Sequence, residues 1–108
     1  MLAITAIVRP EKIFDVQDAL YTKGFSALTK TPVAGRGKER GIKVGDVLYQ
    51  EMCKVQIYLV VADDEKDLVV DTIMQAAKTG AGGNPGDGKI FVSPVYEAYT
   101  ISSQSMDL

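Results

Sequence analysis

The stretch LAITAIV, residues 2–8, decides how this chain folds. Its side chains alternate between two faces, and both faces are largely apolar, which is typical of a strand that is covered on both sides. We therefore predict that Leu2 to Val8 form a central strand, with helices on one side and a second layer on the other.

Two helices are predicted around this strand. Pro10 and Glu11 open the first and Gly24 closes it, since proline suits a first turn and glycine a left-handed cap. Its apolar residues recur at helical spacing at Ile13, Val16, Ala19 and Leu20. The second helix begins at the acids 63–65, has Lys78 near its end and Gly80 after it, and carries apolar residues at Leu68, Val69, Ile73, Met74 and Ala77.

The remaining apolar runs predict further strands. Phe25 to Val33, ending at Gly35, and Val55 to Ala62 are predicted to pair as a long hairpin around a polar loop from Arg36 to Met52. Lys89 to Val92 is the fourth strand, and Tyr96 to Ile101 is assigned as a short edge strand.

The order βαββαβ predicts an α+β, ferredoxin-like fold, in which two helices cover one face of an antiparallel sheet. Since strands 2–8 and 57–61 are apolar on both sides, the uncovered sheet face is expected to be buried against copies of the same chain. With 108 residues the chain forms one domain and leaves little room for an enzyme-sized internal cavity, so a site shared between subunits is expected.

Composition excludes several classes of function. The net charge of −2 and a pI near 5.0 argue against nucleic acid as a partner of the whole surface. A single cysteine, Cys53, and the absence of histidine exclude disulfide frameworks, Cys/His zinc sites and histidine general bases. No stretch reaches the roughly 20 apolar residues that span a bilayer, and Met1 leads straight into a strand, so we expect no membrane insertion and a cytoplasmic location.

Two glycine-rich segments are candidate anion sites. Residues 35–41, GRGKERG, combine flexible backbone with Lys38 and Arg40, although a solvated hairpin tip has the same composition. Thr79-Gly80 and the later GDGK, residues 86–89, resemble a phosphate cradle but lack the Walker spacing, and Asp-Gly before a strand is also ordinary turn chemistry.

Three other features have two interpretations each. Tyr49 in its polar loop is either an interaction anchor or modification target, or a residue packed on the subunit. Cys53 beside Lys54 suggests a reactive thiol, but a small packed residue is the simpler interpretation. The acids 63–65 suggest a cation site, but a solvated helix start explains them, and we expect no intrinsic metal.

The motifs of this chain, taken in order, resemble the PII signal-transduction family over nearly its whole length. They are AIVRPEK at 6–12, LTK at 28–30, GRGK at 35–38, TG at 79–80 and GDGKIFVSPV at 86–95. The segments ALTK at 27–30, FVSP at 91–94, EAYT at 97–100 and LYQE at 48–51 are most similar to the branch encoded beside nitrogenase, whose two paralogues act together.

This resemblance implies a trimer that regulates a protein target, nitrogenase or another protein of nitrogen metabolism, and catalyses no reaction. It implies clefts between subunits that bind ATP or ADP, with magnesium and 2-oxoglutarate as further ligands. It also implies a mobile T-loop at about 37–53 that docks on the target, and a glycine-rich B-loop at about 79–89.

The resemblance also assigns residues. Carried over by position, the nucleotide-binding residues are Thr29, Gly35, Gly37, Lys38, Gly86, Asp87, Gly88 and Lys89. Lys54 and Glu39 correspond to positions that contact 2-oxoglutarate and its magnesium, and Lys43 and Tyr49 lie in the segment that binds the partner.

Three departures from the family pattern predict an altered ligand response. Thr100 and Ser102 stand where the family carries two arginines, and losing both phosphate contacts weakens nucleotide binding by about two to four decades. Glu39 replaces a side-chain amide, and Ala81 to Pro85 lengthen the loop beside the cleft. A paralogue in a mixed oligomer could supply the arginines, or this member senses a different ligand.

Two other classes compete with a regulatory nucleotide-binding trimer. One is a trimeric scaffold of the same fold with a degenerate ATP site. The other is an acylphosphatase-like hydrolase, for which Arg9 and Asn84 are the candidate residues.

Overall fold

The computed structural model describes residues 1–36, 42–44, 47–49 and 52–107, with backbone only for 42–44 and 47–49. Strand β1 spans Leu2–Val8, α1 spans Ile13–Thr22 and α2 spans Lys66–Ala77. The other strands are β2 (Thr29–Gly35), β3 (Ile42–Val44), β4 (Val47–Tyr49), β5 (Met52–Val61), β6 (Gly88–Pro94), β7 (Tyr99–Thr100) and β8 (Ser105–Met106).

The main sheet has the strand order β2-β5-β1-β6, and every neighbouring pair is antiparallel. Strand β1 lies in its middle as predicted, with Leu2 paired to Val61 and Val8 paired to Val55 on one side. On the other side Val8 pairs with Gly88. The ferredoxin-like α+β prediction is confirmed.

The hydrophobic core lies between the sheet and the two helices. Ile4, Ala6 and Val8 alternate along β1 toward this core, which is the pattern expected of a strand with one helix-covered face. The helices and β5 contribute the buried residues Ile13, Val16, Leu20, Ile57, Leu59, Val61, Val69, Ile73 and Ala77. Burial of each large aliphatic side chain stabilises the fold by about 1.5 to 3 kcal/mol.

Local hydrogen bonds set the helix ends. After α1, Gly24 adopts φ +96, and the N–H of Phe25 donates to the carbonyl of Leu20 (2.9 Å), which is the capping geometry that glycine permits. Before α2, the N–H of Ala62 donates to the Glu65 carboxylate (3.0 Å). The acidic start of the second helix therefore caps its own backbone.

Several predicted boundaries were wrong. The second strand begins at Thr29 rather than Phe25, because Phe25 and Leu28 pack against the core. The third begins at Met52 rather than Val55, since its ladder with β2 continues to the Gly35–Met52 pair. The fourth runs from Gly88 to Pro94, because β1 pairs with all of it.

Helix α2 also ends earlier than predicted, at Ala77, and Lys78 is already extended (φ −67, ψ 137). The predicted loop from Arg36 to Met52 contains two short paired strands, β3 and β4. The predicted edge strand Tyr96 to Ile101 was wrong, because Tyr99–Thr100 pair with Ser105–Met106 in a separate hairpin and do not join the main sheet.

The second face of the sheet is partly exposed in the single chain. Tyr58 and Phe91, both opposite Thr5 in the ladders, are 41% and 49% exposed. That this face is covered by copies of the chain stays a prediction. Within the described part of the chain, no helix has the length and hydropathy to span a membrane.

Substitutions at buried and exposed positions of α2 are predicted to lower the free energy of unfolding by different amounts. Ile73 is fully buried, so Ile73→Ala should lower the free energy of unfolding by about 3 kcal/mol through lost burial and a residual cavity. Leu68→Ala, on the same helix at a position that is 45% exposed, should cost less than about 1 kcal/mol. Urea denaturation of both variants measures the difference, and equal losses would contradict this core.

Candidate functional site

The candidate site is the loop that joins α2 to β6, residues 78–87, here called the α2–β6 loop. It reverses the chain with Gly80, Gly83 and Gly86 at positive φ and delivers Asp87 to the start of β6. The conformation of this loop depends on hydrogen bonds that one carboxylate accepts from loop residues and from Arg9.

That carboxylate belongs to Asp87. One oxygen accepts the Thr79 hydroxyl (2.6 Å) and the Arg9 Nε–H (3.0 Å). The other accepts the backbone N–H groups of Thr79 (3.0 Å) and Asn84 (2.9 Å). Four donors therefore converge on one side chain, which is only 19% exposed. The same bonds explain the early end of α2, since the N–H of Thr79 points to Asp87 and not to a helical carbonyl.

These donors change the acidity of the group. The hydroxyl of Thr79 contributes most, followed by the N–H groups of Thr79 and Asn84 and by Arg9, and together they hold the pKa of Asp87 well below its ordinary value. Asp87 is therefore a carboxylate throughout the physiological range.

Two side chains from outside the loop hold it to the sheet. The Arg9 guanidinium, beyond the end of β1, contacts Asp87 and also donates from Nη2 to the carbonyl of Pro85 (2.9 Å). Lys54 of β5 donates from Nζ to the carbonyl of Gly86. The ladders explain this convergence, because Val8 pairs with both Val55 and Gly88, so the next positions along the three strands are Arg9, Lys54 and Asp87.

The surroundings of the loop are cationic at one end and apolar at the other. A cleft of about 440 Å³ lies between α2 and β6, where Lys78 and Lys89 line the loop end beside Asp87. The rest of its lining is apolar, from Val70, Ile73, Met74, Ile90 and Val92. Arg9 thus contacts the Asp87 carboxylate, Lys54 contacts the loop at Gly86, and Lys78 and Lys89 line the adjoining cleft.

The predicted site residues divide into three groups. Lys54, Gly86, Asp87, Gly88 and Lys89 are brought together at the α2–β6 loop. Thr29 and Gly35 are the first and last residues of β2, on the opposite edge of the sheet. Gly37, Lys38 and Glu39 lie outside the described residues, and Lys43 and Tyr49 lie in β3 and β4, whose side chains are likewise outside them.

The separation of Thr29 from the loop is large. Through the ladders, Thr29 lies in the same row as Thr5 and Phe91, and β2 is three strands away from β6. This row is three residues along the strands from the Val8–Gly88 pair. Strand spacing and rise place Thr29 roughly 17 Å from Gly88 within one chain. Within one chain a ligand would have to lie across three strands to contact both, so we predict that a site including both is shared by two chains.

Among the departures, Thr100 lies in the hairpin of β7 and β8, where its hydroxyl donates to the Asp107 carboxylate. The second oxygen of Asp107 accepts the Ser105 hydroxyl (3.0 Å). Thr100, where the resemblance predicts an arginine, is therefore bonded to an acid. Among the described residues no group of three or more Asp, Glu or Cys side chains is placed to hold a metal ion.

Sequence reasoning missed the roles of Arg9 and Asn84, which it considered only as residues of a hydrolase. Both are occupied within the loop, since Asn84 donates from its side-chain amide to the Thr79 hydroxyl (2.8 Å) and carbonyl (3.2 Å). The signal was present in the sequence only through strand register, because Arg9 follows β1 and Asp87 precedes β6.

The first residue of β6, Gly88, is predicted to tolerate no other amino acid. A Cβ there would lie 1.8 Å from the Ile7 carbonyl oxygen, and the residue has φ +122. Gly88→Ala should therefore destabilise the fold by about 2 kcal/mol or more, as measured by chemical denaturation. Gly82→Ala is the matched control, since nothing lies within 4 Å of its added Cβ, and an equal loss there would contradict the assignment.

The lowered pKa of Asp87 predicts how the free energy of unfolding depends on pH. A depressed folded-state pKa stabilises the fold fully above the ordinary pKa of about 3.9, and this contribution is lost as pH falls below it. The difference in unfolding free energy between wild type and Asp87→Asn should be constant above about pH 5 and shrink below about pH 4. A difference that does not change with pH would contradict this role.

Comparisons with known proteins agree with this architecture. The family model described as nitrogen regulatory protein P-II matches residues 1–105. A nitrogen fixation nifHD region glnB-like protein 1 of Methanococcus maripaludis is 49% identical over 108 residues, covering all of both chains. A protein of the same description from Methanothermococcus thermolithotrophicus is 50% identical over 101 residues, covering 94% of this chain and 93% of its own.

A more distant relative carries the family name itself. The nitrogen regulatory protein P-II 2 of Methanothermobacter thermautotrophicus is 42% identical over 105 residues, covering 94% of this chain and 89% of its own. The predicted resemblance is confirmed, and this chain belongs to the P-II family of nitrogen regulatory proteins, in the branch of nifHD-region GlnB-like proteins.

Proposed function

We propose that this chain is a trimeric, cytoplasmic regulator that binds an adenine nucleotide at the α2–β6 loop, with 2-oxoglutarate and magnesium as further ligands, and controls a protein of nitrogen metabolism. The observation that carries the proposal is the internal bonding of this loop. Its conformation is held by four hydrogen bonds to Asp87, so little further ordering is required when a ligand binds.

The charges near the loop support an anionic ligand. The Lys89 side chain is exposed beside Gly88, whose backbone permits close approach, and Lys78 lines the same end of the cleft. Lys54 reaches the loop separately, through its bond to the Gly86 carbonyl. Lys54 also belongs to β5, the strand that leads away from the proposed T-loop. A ligand that draws Lys54 from Gly86 would therefore change the base of that loop.

The positions of the other candidates support a shared site. Thr29 lies on the edge opposite the α2–β6 loop, so a neighbouring chain must supply it if it contacts the same nucleotide. The exposed Tyr58 and Phe91 on the uncovered sheet face supply an apolar surface for such contacts. Both a homotrimer and a mixed oligomer with a paralogue would satisfy this geometry.

The proposed target is nitrogenase or another nitrogen-metabolism protein, reached through segment 37–53 with Lys43 and Tyr49 as partner contacts. The support is the description of the relatives as proteins of a nitrogen fixation region. We propose no catalytic activity, because the two residues considered for a hydrolase, Arg9 and Asn84, both serve the internal bonding of the loop.

A second candidate function is a sensor of a less charged ligand, or a scaffold with a degenerate ATP site. It is favoured by Asp107, which accepts the hydroxyl of Thr100 in the segment where the family places arginine. A carboxylate at this position would repel a triphosphate electrostatically.

Titration calorimetry with ATP, ADP and AMP, each with magnesium and with or without 2-oxoglutarate, tests the proposal. Lys89→Gln should weaken binding of the preferred nucleotide about tenfold or more, since it removes a charge-assisted contact. Lys66→Gln is the control, because Lys66 lies at the far end of α2 and contacts Asp67 (2.6 Å).

The outcomes separate the two candidate functions. Tight ATP binding that depends on Lys89 and strengthens 2-oxoglutarate binding supports the nucleotide sensor. Preference for AMP supports a site that is altered at its phosphate end, and no heat with any nucleotide would overturn a homomeric nucleotide site.

A further inference from the structure

Arg9 has a part in the candidate site that neither its sequence context nor the family assignment gives it. It is the residue after β1, 78 positions from Asp87 in sequence, and its guanidinium bonds the loop at two places, the Asp87 carboxylate and the Pro85 carbonyl. Its side chain is 22% exposed and that of Asp87 is 19% exposed. The pair is thus partly shielded from water, which makes its charge balance matter more than at an open surface.

The geometry separates Asp87 from the groups that would touch a ligand. Both carboxylate oxygens are occupied by donors of the protein, two for each oxygen. A carboxylate near a phosphate is repulsive, and four donors leave it no free bonding direction toward one. Asp87 was predicted as a nucleotide-binding residue, but its contacts are those of an internal support for the loop.

We infer that Arg9 is a positioning residue of the anion site, which fixes the α2–β6 loop through Asp87 and Pro85 and neutralises the carboxylate that the loop needs for its shape. The part of this inference that concerns a ligand rests on the proposed function. The part that concerns the loop rests only on the hydrogen bonds of Arg9. Arg9 acts through Asp87, whereas Lys54 and Lys89 are the cations proposed to contact the ligand.

Two consequences distinguish neutralisation from simple packing. Replacing Arg9 by glutamine leaves an unbalanced negative charge beside the anion site, so binding should weaken. Replacing Asp87 by asparagine as well removes that charge, so the loss caused by Arg9→Gln should become smaller in the Asp87→Asn background. A residue that packed against the loop without any contact to Asp87 would show no such coupling.

The experiment compares wild type with Arg9→Gln, Arg9→Lys, Asp87→Asn and the double variant Arg9→Gln/Asp87→Asn. Lys12→Gln is the matched control, since it also removes a positive charge near the end of β1 but its ammonium lies beside Asp15 (3.8 Å). Hydrogen exchange of the ligand-free proteins reports on the loop, and calorimetry with the nucleotide that wild type prefers reports on the site.

Arg9→Gln should raise exchange at the amides of Thr79 and Asn84 at least threefold, with the amides of β1 unchanged. It should weaken nucleotide binding about tenfold in the wild-type background but less than about threefold beside Asp87→Asn. Arg9→Lys keeps the charge but lacks the two-armed guanidinium, so it should restore most of the affinity while the loop amides still exchange faster.

The inference would be overturned if the amides of Thr79 and Asn84 exchanged in Arg9→Gln at the same rate as in wild type. It would also be overturned if Arg9→Gln lowered the affinity equally in the wild-type and Asp87→Asn backgrounds. If wild type binds no nucleotide, the proposed function fails instead, and the exchange rates of the ligand-free proteins alone decide the role of Arg9.

Discussion

The ion pair between Arg9 and Asp87 is the contact on which the candidate site depends. It lies where β1 ends and β6 begins, and Lys54 of β5 reaches the same loop one strand away. A long connection rich in glycine has many conformations, and restricting them costs roughly 1 to 2 kcal/mol per residue. One carboxylate with four donors offsets part of that cost, and the guanidinium prevents it from remaining an uncompensated charge.

The same arrangement reconciles two opposing demands on the loop. A site for anions needs positive charge and backbone that can approach the ligand closely, whereas a stable loop needs acceptors for its own N–H groups. Asp87 meets the second demand from inside the loop, and in the proposed anion site Lys78 and Lys89 would meet the first, with Lys54 once it leaves the Gly86 carbonyl. Gly88 has a separate structural role, since a Cβ there would collide with the backbone of Ile7 and glycine lets β6 begin close beside β1.

Much of the fold could be predicted because it follows from periodicity. The alternation of Leu2 to Val8 and the helical spacing of Ile13, Val16 and Leu20 report burial directly. Strand ends could not be predicted in the same way, since Met52 and Pro94 become strand residues only through their partners. For the site, family motifs identified Gly86 to Lys89, but the function of Arg9 depends on strand register, a long-range property that no local pattern contains. The short hairpin of β7 and β8 could not be predicted either, because strands of two residues carry almost no periodic signal.

Thr29 and the α2–β6 loop lie on opposite edges of one sheet, so in the proposed shared site each chain would supply Thr29 to one neighbour and the loop to another. If one ligand spans both features, an isolated chain holds two unmatched halves and no complete binding site. Ligand response would then depend on total protein concentration, and diluted protein would lose sensitivity before it lost its fold. In an assembly of two related chains, each junction could combine halves of different origin, so the ratio in which the cell makes the two chains would itself tune the sensor.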